Sequence, residues 1–273
     1  MMSGSWTRRM LVIRWGLLAF TALTLLYLVM PTFIVVPMSF SSQSYLSFPP
    51  PGWSTKWYAQ MLARPDYPAA FINSLKVGVS VALLSAILGT LAALGLVRGR
   101  VPGERSLVSL ILAPLMLPQI ILAIGMYPIM AKLGIIGTTA GLVIAHTIVS
   151  LPLVYITVSA ALRSYPATYE IAAMTLGANW WNCFWHVTFP MIRLGVGVGA
   201  ILAFAFSFDE LILALFLAGP ESRTLPRLLW NDLRVYVTPI IAAATTLVLC
   251  LSFVLLGLAA WLQRNAQRKE ARS

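Results

Sequence analysis

Six long apolar runs, separated by short basic clusters, constrain this chain more than any other feature of its sequence. They cover roughly 15–38, 71–97, 107–131, 138–162, 192–218 and 239–262. At ~1.5 Å of rise per residue, each is long enough as a helix to cross a hydrocarbon core of ~30 Å. Backbone groups in lipid need internal partners, so only helices or closed barrels can span it. The runs lack the alternation of barrel strands, which leaves helices. Only 10% of the residues are charged and 59% are hydrophobic, whereas an average globular chain is roughly a quarter charged. The expected fold is therefore all-α: a polytopic membrane protein of six transmembrane helices, forming a single domain over 1–273.

The net charge is +11, but its carriers do not form a patch that nucleic acid could use. They sit between the apolar runs, as the positive-inside rule predicts. With the N-terminus inside, twelve of the 19 Lys and Arg residues fall on inside segments, among them Arg98, Arg100 and Arg105 of one short loop. Both termini are therefore expected in the cytoplasm. The first run is too long for the core of a cleavable signal peptide and lacks a small-x-small site, so it is read as an uncleaved span. Cys183 lies in a polar segment and Cys250 in an apolar run, which argues against a disulfide or metal pair. No cofactor or metal is expected.

Between the first two runs stands F-P-P-P-G-W-S-T-K-W-Y, ending at Tyr58. Prolines and glycine turn the chain there. The residues that follow predict a short interfacial helix, with Trp53, Trp57 and Tyr58 as an aromatic belt. Gly78, Ser85, Gly89 and Gly95 in the second run predict close backbone approach, as do Gly195, Gly197 and Gly199 in the fifth. Pro114, Pro118, Pro128 and Pro152 punctuate the third and fourth runs, which suits a bundle around a pathway. The tail, Gln263–Ser273, is expected to be disordered.

One polar island, Arg163–Pro190, interrupts the apolar pattern on what the charges place as the cytoplasmic side. Pro166 can open a helix, Gly177 can end it in the left-handed conformation, and Asn179 can cap a second helix over 180–187. That second helix carries Trp180, Trp181, Phe184 and Trp185. Pro190 is expected to break the chain before the fifth span. Two short helices at a sharp angle result. Two readings stand: a docking element for a partner, or an interfacial helix among lipid headgroups. Docking with partial interfacial burial is preferred.

The spacing Ala172-Ala173, Gly177, Val187-x-Phe189-Pro190 resembles the cytoplasmic signature loop of ABC-importer permeases, E-A-A-x3-G-x9-I-x-L-P. The six-span layout and the stretch F-D-E-L…A-G-P-E-S-R-T-L-P-R-L-L-W, from Phe208 onward, extend the resemblance over the whole chain. They point to the polyamine (spermidine/putrescine) branch of the binding-protein-dependent family, and within it to the second permease subunit. The resemblance implies the type I importer permease fold, a bacterial inner membrane and a non-catalytic role. It also implies partners: two cytoplasmic ATP-binding subunits, a second homologous permease and an external solute-binding protein, besides membrane lipid. ATP hydrolysis then belongs to a separate subunit, and this sequence contains no G-x4-G-K-[ST] loop. By the same resemblance, Glu170, Ala172, Ala173, Gly177, Val187, Phe189 and Pro190 are expected to couple to the ATPase. One departure stands out. The family Glu falls on Ile171, with Glu170 one place earlier, a rotation of about 100° on a helix. A salt bridge or cap made by the family Glu is then lost or made differently. The expected cost is small, since one exposed charge contributes little.

Ser207, Asp209 and Glu210 lie near the outer end of the fifth run. A carboxylate in the bilayer costs at least ~2.5 kcal/mol, so it faces a cavity or a partner. Ser207 and Glu210 share a helix face, and Asp209 points about 100° away. One reading is an acidic wall that attracts a cationic solute; the other is an ion pair with Lys132 or Arg223, or plain exposure. The resemblance favours the solute path. Gln119 in the third run stands where a spermidine permease is expected to carry an acidic residue. That leaves putrescine, a modified amine or an amino-acid-like solute open. His146 is read as a buried hydrogen-bond partner in preference to a proton relay. Two other classes are disfavoured. A membrane enzyme needs a clustered catalytic set, and an ATPase-independent carrier needs charges on several helices.

Overall fold

The structure, a computed structural model, describes residues 3–99, 101–235 and 237–270. Arg100 and Arg272, two of the basic residues that set the expected orientation, lie outside the described residues. The helices run α1 (Ser3–Ser39), α2 (Lys56–Ala63), α3 (Asp66–Arg98), α4 (Glu104–Met116), α5 (Gln119–Lys132), α6 (Thr139–Arg163), α7 (Thr168–Thr175), α8 (Trp180–Cys183), α9 (Phe189–Asp209), α10 (Ile212–Leu217), α11 (Leu225–Val235) and α12 (Pro239–Glu270). Among the described residues, five helices are long and apolar enough to cross a membrane, or six if α4 and α5 count as one broken span. The chain divides into two compact units, Met1–Ala63 with Asp232–Leu249, and Arg64–Asn231 with Cys250–Ser273.

In the first unit, α1 exposes apolar side chains around most of its circumference from Met10 to Phe33, as a lipid-immersed helix does. The loop after it closes on itself through Ser42 N–H to Gly52 O (2.9 Å) and Ser54 N–H to Phe40 O (2.7 Å). The short helix expected after the prolines is α2, but its aromatics differ from a belt. Trp53 is 71% exposed, whereas Trp57 is buried. The Trp57 indole N–H donates to Ser41 O at 2.6 Å, and the Tyr58 hydroxyl is 2.7 Å from Ser39 Oγ. The loop's polar groups need partners, and these two rings carry them.

In the second unit, α3, α6 and α9 pack together around Val154, which is fully buried. Gly89 of α3 and Gly199 of α9 make this possible. A Cβ on Gly89 would stand 2.8 Å from Val154 Cβ, and one on Gly199 would stand 2.9 Å from Val154 Cα. Gly95 and Gly197 face open space, so only part of the small-residue set serves helix contact. Gly89→Val or Gly199→Val is expected to cost about 1–3 kcal/mol by overpacking. Thermal unfolding of the detergent-solubilised chain checks this, and Gly197→Ala should show no loss. Toward one end, Val77, Val81, Leu142 and Val149 pack with Met130 of α5 and Leu213 of α10. Toward the other, Leu96, Val158, Leu162 and Ile192 pack around Tyr165.

Four expectations about helix continuity are corrected. The third run is two helices, α4 and α5, bent by 108°. Leu117 is extended (ψ 140°) because the following Pro118 disfavours the helical conformation and lacks an N–H. Pro114, Pro128 and Pro152 stay inside their helices. The fifth run also breaks: α9 ends at Asp209, Glu210 is extended (ψ 112°), and α10 restarts two residues later. Pro190, by contrast, does not break the chain. A π-helical turn, Phe184–Thr188, joins α8 to α9, and Phe189 N–H reaches back to Phe184 O. The wider turn absorbs the missing Pro190 donor, so the expected second short helix is the bent base of the fifth span. At the C-terminus, α12 continues to Glu270, so 263–270 is helical where disorder was expected; 271–273 lie outside the described residues.

Candidate functional site

The two helix breaks meet. Gln119 is the first residue of α5, and its Nε2 donates to Glu210 Oε2 at 2.8 Å. The other Glu210 oxygen, Oε1, accepts the Leu213 N–H at 3.0 Å and so caps α10. Glu210 is 4% exposed. The carboxylate therefore satisfies a helix start and a neighbouring amide where lipid and packed side chains offer no water. Three residues earlier, Ser207 is also buried, and its Oγ lies 2.9 Å from His146 Nδ1. His146 is thus a buried hydrogen-bond partner, with its Nε2 unpartnered. Asp209 behaves differently. It is exposed, and among the described residues its carboxylate has no hydrogen-bond or ion-pair partner.

The sequence grouping of Ser207, Asp209, Glu210 and Gln119 is thus brought to one place and split. Gln119 and Glu210 hold each other, Glu210 also holds the backbone, Ser207 holds His146, and Asp209 alone is offered outward. Neither Lys132 nor Arg223 pairs with the acidic residues among the described residues. Beyond the break, the end of the unit is sealed by polar links that use up loop backbone groups. Gly137 N–H donates to Leu217 O (2.9 Å), Ser222 Oγ to Gly137 O (2.7 Å), and Asn73 Nδ2 to Glu221 O (2.8 Å). Leu225 N–H donates to Ser74 Oγ (2.8 Å).

At the opposite end of α9, about 30 Å away for its 21 residues, stands the elbow. Its first helix, α7, ends as the sequence predicts. Gly177 takes φ +91°, and the N–H groups of Gly177 and Ala178 reach back to Met174 O and Ala173 O at 3.0 Å each, a Schellman-type stop. Asn179 Oδ1 then accepts the Asn182 N–H at 2.8 Å and starts α8. Trp180, Trp181, Phe184, Trp185 and Phe189 form one ring cluster, with centroids 4.8 to 5.9 Å apart.

Glu170 is not the exposed charge the sequence suggested. Its side chain is 12% exposed and pairs with Arg98, Nε to Oε2, at 3.0 Å. That contact is close but not aligned as a hydrogen bond. Glu170 Oε1 accepts from the Tyr165 hydroxyl (2.7 Å) and the Thr188 hydroxyl (3.0 Å). Arg98 Nη2 donates to Leu162 O (2.8 Å) and Tyr165 O (3.2 Å), capping the end of α6. Burial, and then its hydrogen bond to Glu170, push the Tyr165 hydroxyl pKa above its ordinary value, which keeps it a donor. Tyr165 and Thr188 are not singled out by the sequence, and Arg98 reads there only as an orientation charge: the pair Arg98–Glu170 spans 72 positions, and no local periodicity links them. Of the expected coupling residues, Ala172, Gly177 and Pro190 are exposed, and Ala173, Val187 and Phe189 are half-buried. Around them Ile171 (61%), Met174 (48%) and Leu176 (90%) turn outward.

Residues 85–268 match the family described as "Binding-protein-dependent transport system inner membrane component". The chain is 35% identical over 254 residues to the putrescine transport system permease protein PotI of Escherichia coli (strain K12), covering 90% of each. It is 29% identical over 229 residues to the spermidine/putrescine transport system permease protein PotC of the same organism, covering 84% of this chain and 86% of that one. The fold matches a chain of a bacterial ABC transporter involved in the import of the polysaccharide alginate. There the TM-score is 0.73 and the identity 18%, over 95% of this chain and 98% of that one.

Proposed function

We propose that this chain, which belongs to the binding-protein-dependent transport system inner membrane component family, forms half of the path for a small cationic solute in an ATP-driven importer. Putrescine, or a related polyamine, is the solute class. The observation that carries this reading is Asp209, a carboxylate with no partner among the described residues, beside the meeting point of two broken helices. Broken helices are a recurrent way to build a solute site within a bundle, and an uncompensated anion there raises the local concentration of cations. The names of the two polyamine permeases above support the same class.

The remaining roles follow from this placement. The Arg163–Pro190 elbow faces the cytoplasm and docks on an ATP-hydrolysing subunit through Ile171, Met174 and Leu176 together with Ala172, Ala173 and Gly177. A second permease subunit completes the path, and an external binding protein delivers the solute. The test is co-purification followed by reconstitution. Tagged chain co-expressed with its neighbouring transport subunits should retain an ATPase, and putrescine with its binding protein should stimulate hydrolysis. Failure to retain any ATPase sinks the coupling role. Retention with stimulation only by uncharged or anionic solutes sinks the cationic class.

A further inference from the structure

The elbow helix α7 carries no buried side chain. A groove of about 600 Å³ opens beside it, lined by Leu91, Leu94 and Arg98 of α3 and by Glu170, Ile171 and Met174 of α7. Apolar packing therefore does not hold α7 against the bundle. Glu170 is what holds it. One carboxylate reaches Arg98 at the end of α3, Tyr165 just after α6, and Thr188 in the turn that leads into α9. The Arg98 guanidinium lies 4.6 Å over the Tyr165 ring and binds Leu162 O at the end of α6 and Tyr165 O just after it, so the link extends to three helices. Cys183 Sγ adds a weak contact to Glu170 O at 3.7 Å. A pair that is largely shielded from solvent is screened less than a surface pair, so this cluster can carry load that an exposed charge could not.

We infer that the Arg98–Glu170 pair, with Tyr165, is a positioning device that makes α7 move as one body with the ends of α3, α6 and α9. Arg98 and Tyr165 are positioning residues that act through Glu170. A push on α7 then reaches the spanning helices instead of being lost in bending at Ser164–Ala167. The one-place register of Glu170 serves this role: the carboxylate turns inward, and Ile171 takes the outward place. The inference rests on the proposed coupling role of the elbow, and the experiment separates the two.

Spin labels are placed at Tyr169 of α7 and Leu88 of α3, both exposed, in a background carrying Cys183→Ser and Cys250→Ser. Their distance is measured in the free chain, and in the assembled transporter before and after trapping with MgATP and vanadate. The otherwise unaltered chain should give one narrow distance that trapping leaves in place. Arg98→Ala should broaden it and let it shift on trapping. The ATPase should stay bound, while transport per ATP falls about tenfold, at the upper part of the range for coupling variants. Arg98→Lys should restore part of the narrow distance. Tyr165→Phe, which removes only one hydrogen bond, should give an intermediate width and guards against misfolding of Arg98→Ala. A narrow, unmoved distance in both Arg98→Ala and Tyr165→Phe overturns the inference, as does loss of the ATPase from Arg98→Ala. If the unaltered chain retains no ATPase, the coupling role fails, and the free-chain distances still decide whether the pair rigidifies α7.

Discussion

Replacing Glu210 by alanine is expected to abolish uptake and to lower stability by about 2 kcal/mol, because it leaves buried donors without an acceptor. Three things go at once: the acceptor for Gln119 Nε2, the cap on Leu213 N–H, and a buried carboxylate beside the proposed solute path. Hydrogen bonds inside membrane proteins are often individually modest, but here the same carboxylate also restarts a helix. Glu210→Gln keeps an oxygen for the cap and should lose less stability. Asp209→Asn should show the opposite pattern. Among the described residues Asp209 has no partner to lose, so thermal unfolding should be unchanged, whereas putrescine uptake should fall roughly tenfold if its charge draws the cation in. Stability followed by tryptophan fluorescence, measured beside uptake in proteoliposomes, separates the two carboxylates. A Glu210→Ala chain as stable as wild type would contradict the anchor. Normal uptake by Asp209→Asn would remove the case for an acidic entrance.

Gly177→Val should cut ATPase retention by at least about tenfold while leaving membrane insertion intact, since a β-branched residue is strongly strained at positive φ. The cause is purely in the backbone. Gly177 sits at φ +91°, and a Cβ there would meet nothing within 4 Å, so there is no clash to relieve. The chain can escape the strain only by re-aiming α7 against α8, which shifts Ile171, Met174 and Leu176 relative to the Trp180–Phe189 cluster. Gly177→Asn should be milder, because asparagine tolerates the left-handed region better than other non-glycine residues. The order Val, Ala, Asn, from worst to best, is the signature of a conformational cause. Equal losses for all three would point instead to direct contact at that site, and full retention by Gly177→Val would remove the elbow angle from the docking role.

Much of this was legible because it is local. Apolar length gave away the spanning helices, since lipid leaves the backbone no other partners. Gly177 and Asn179 marked the stop and the new start within the elbow, because each works through its own conformation or its nearest neighbours. The prolines were harder. Four of them punctuate the third and fourth runs and Pro190 opens α9, yet only Pro118 breaks its helix. Whether a proline breaks, bends or is absorbed by a π-turn depends on what surrounds the freed carbonyls.

The pairing of distant polar groups was decided by packing alone. Glu210 reads, with Asp209, as a costly carboxylate in the bilayer, whereas Glu170 reads as an exposed charge on the polar island, so the sequence shows the need for a partner at Glu210 only. It shows neither partner, because Arg98 and Gln119 come into reach only when α3, α6 and α9 close around Val154 and the two broken helices cross. Desolvation sets the need for a partner residue by residue, whereas three-dimensional proximity chooses that partner, and proximity leaves no periodic trace along a chain.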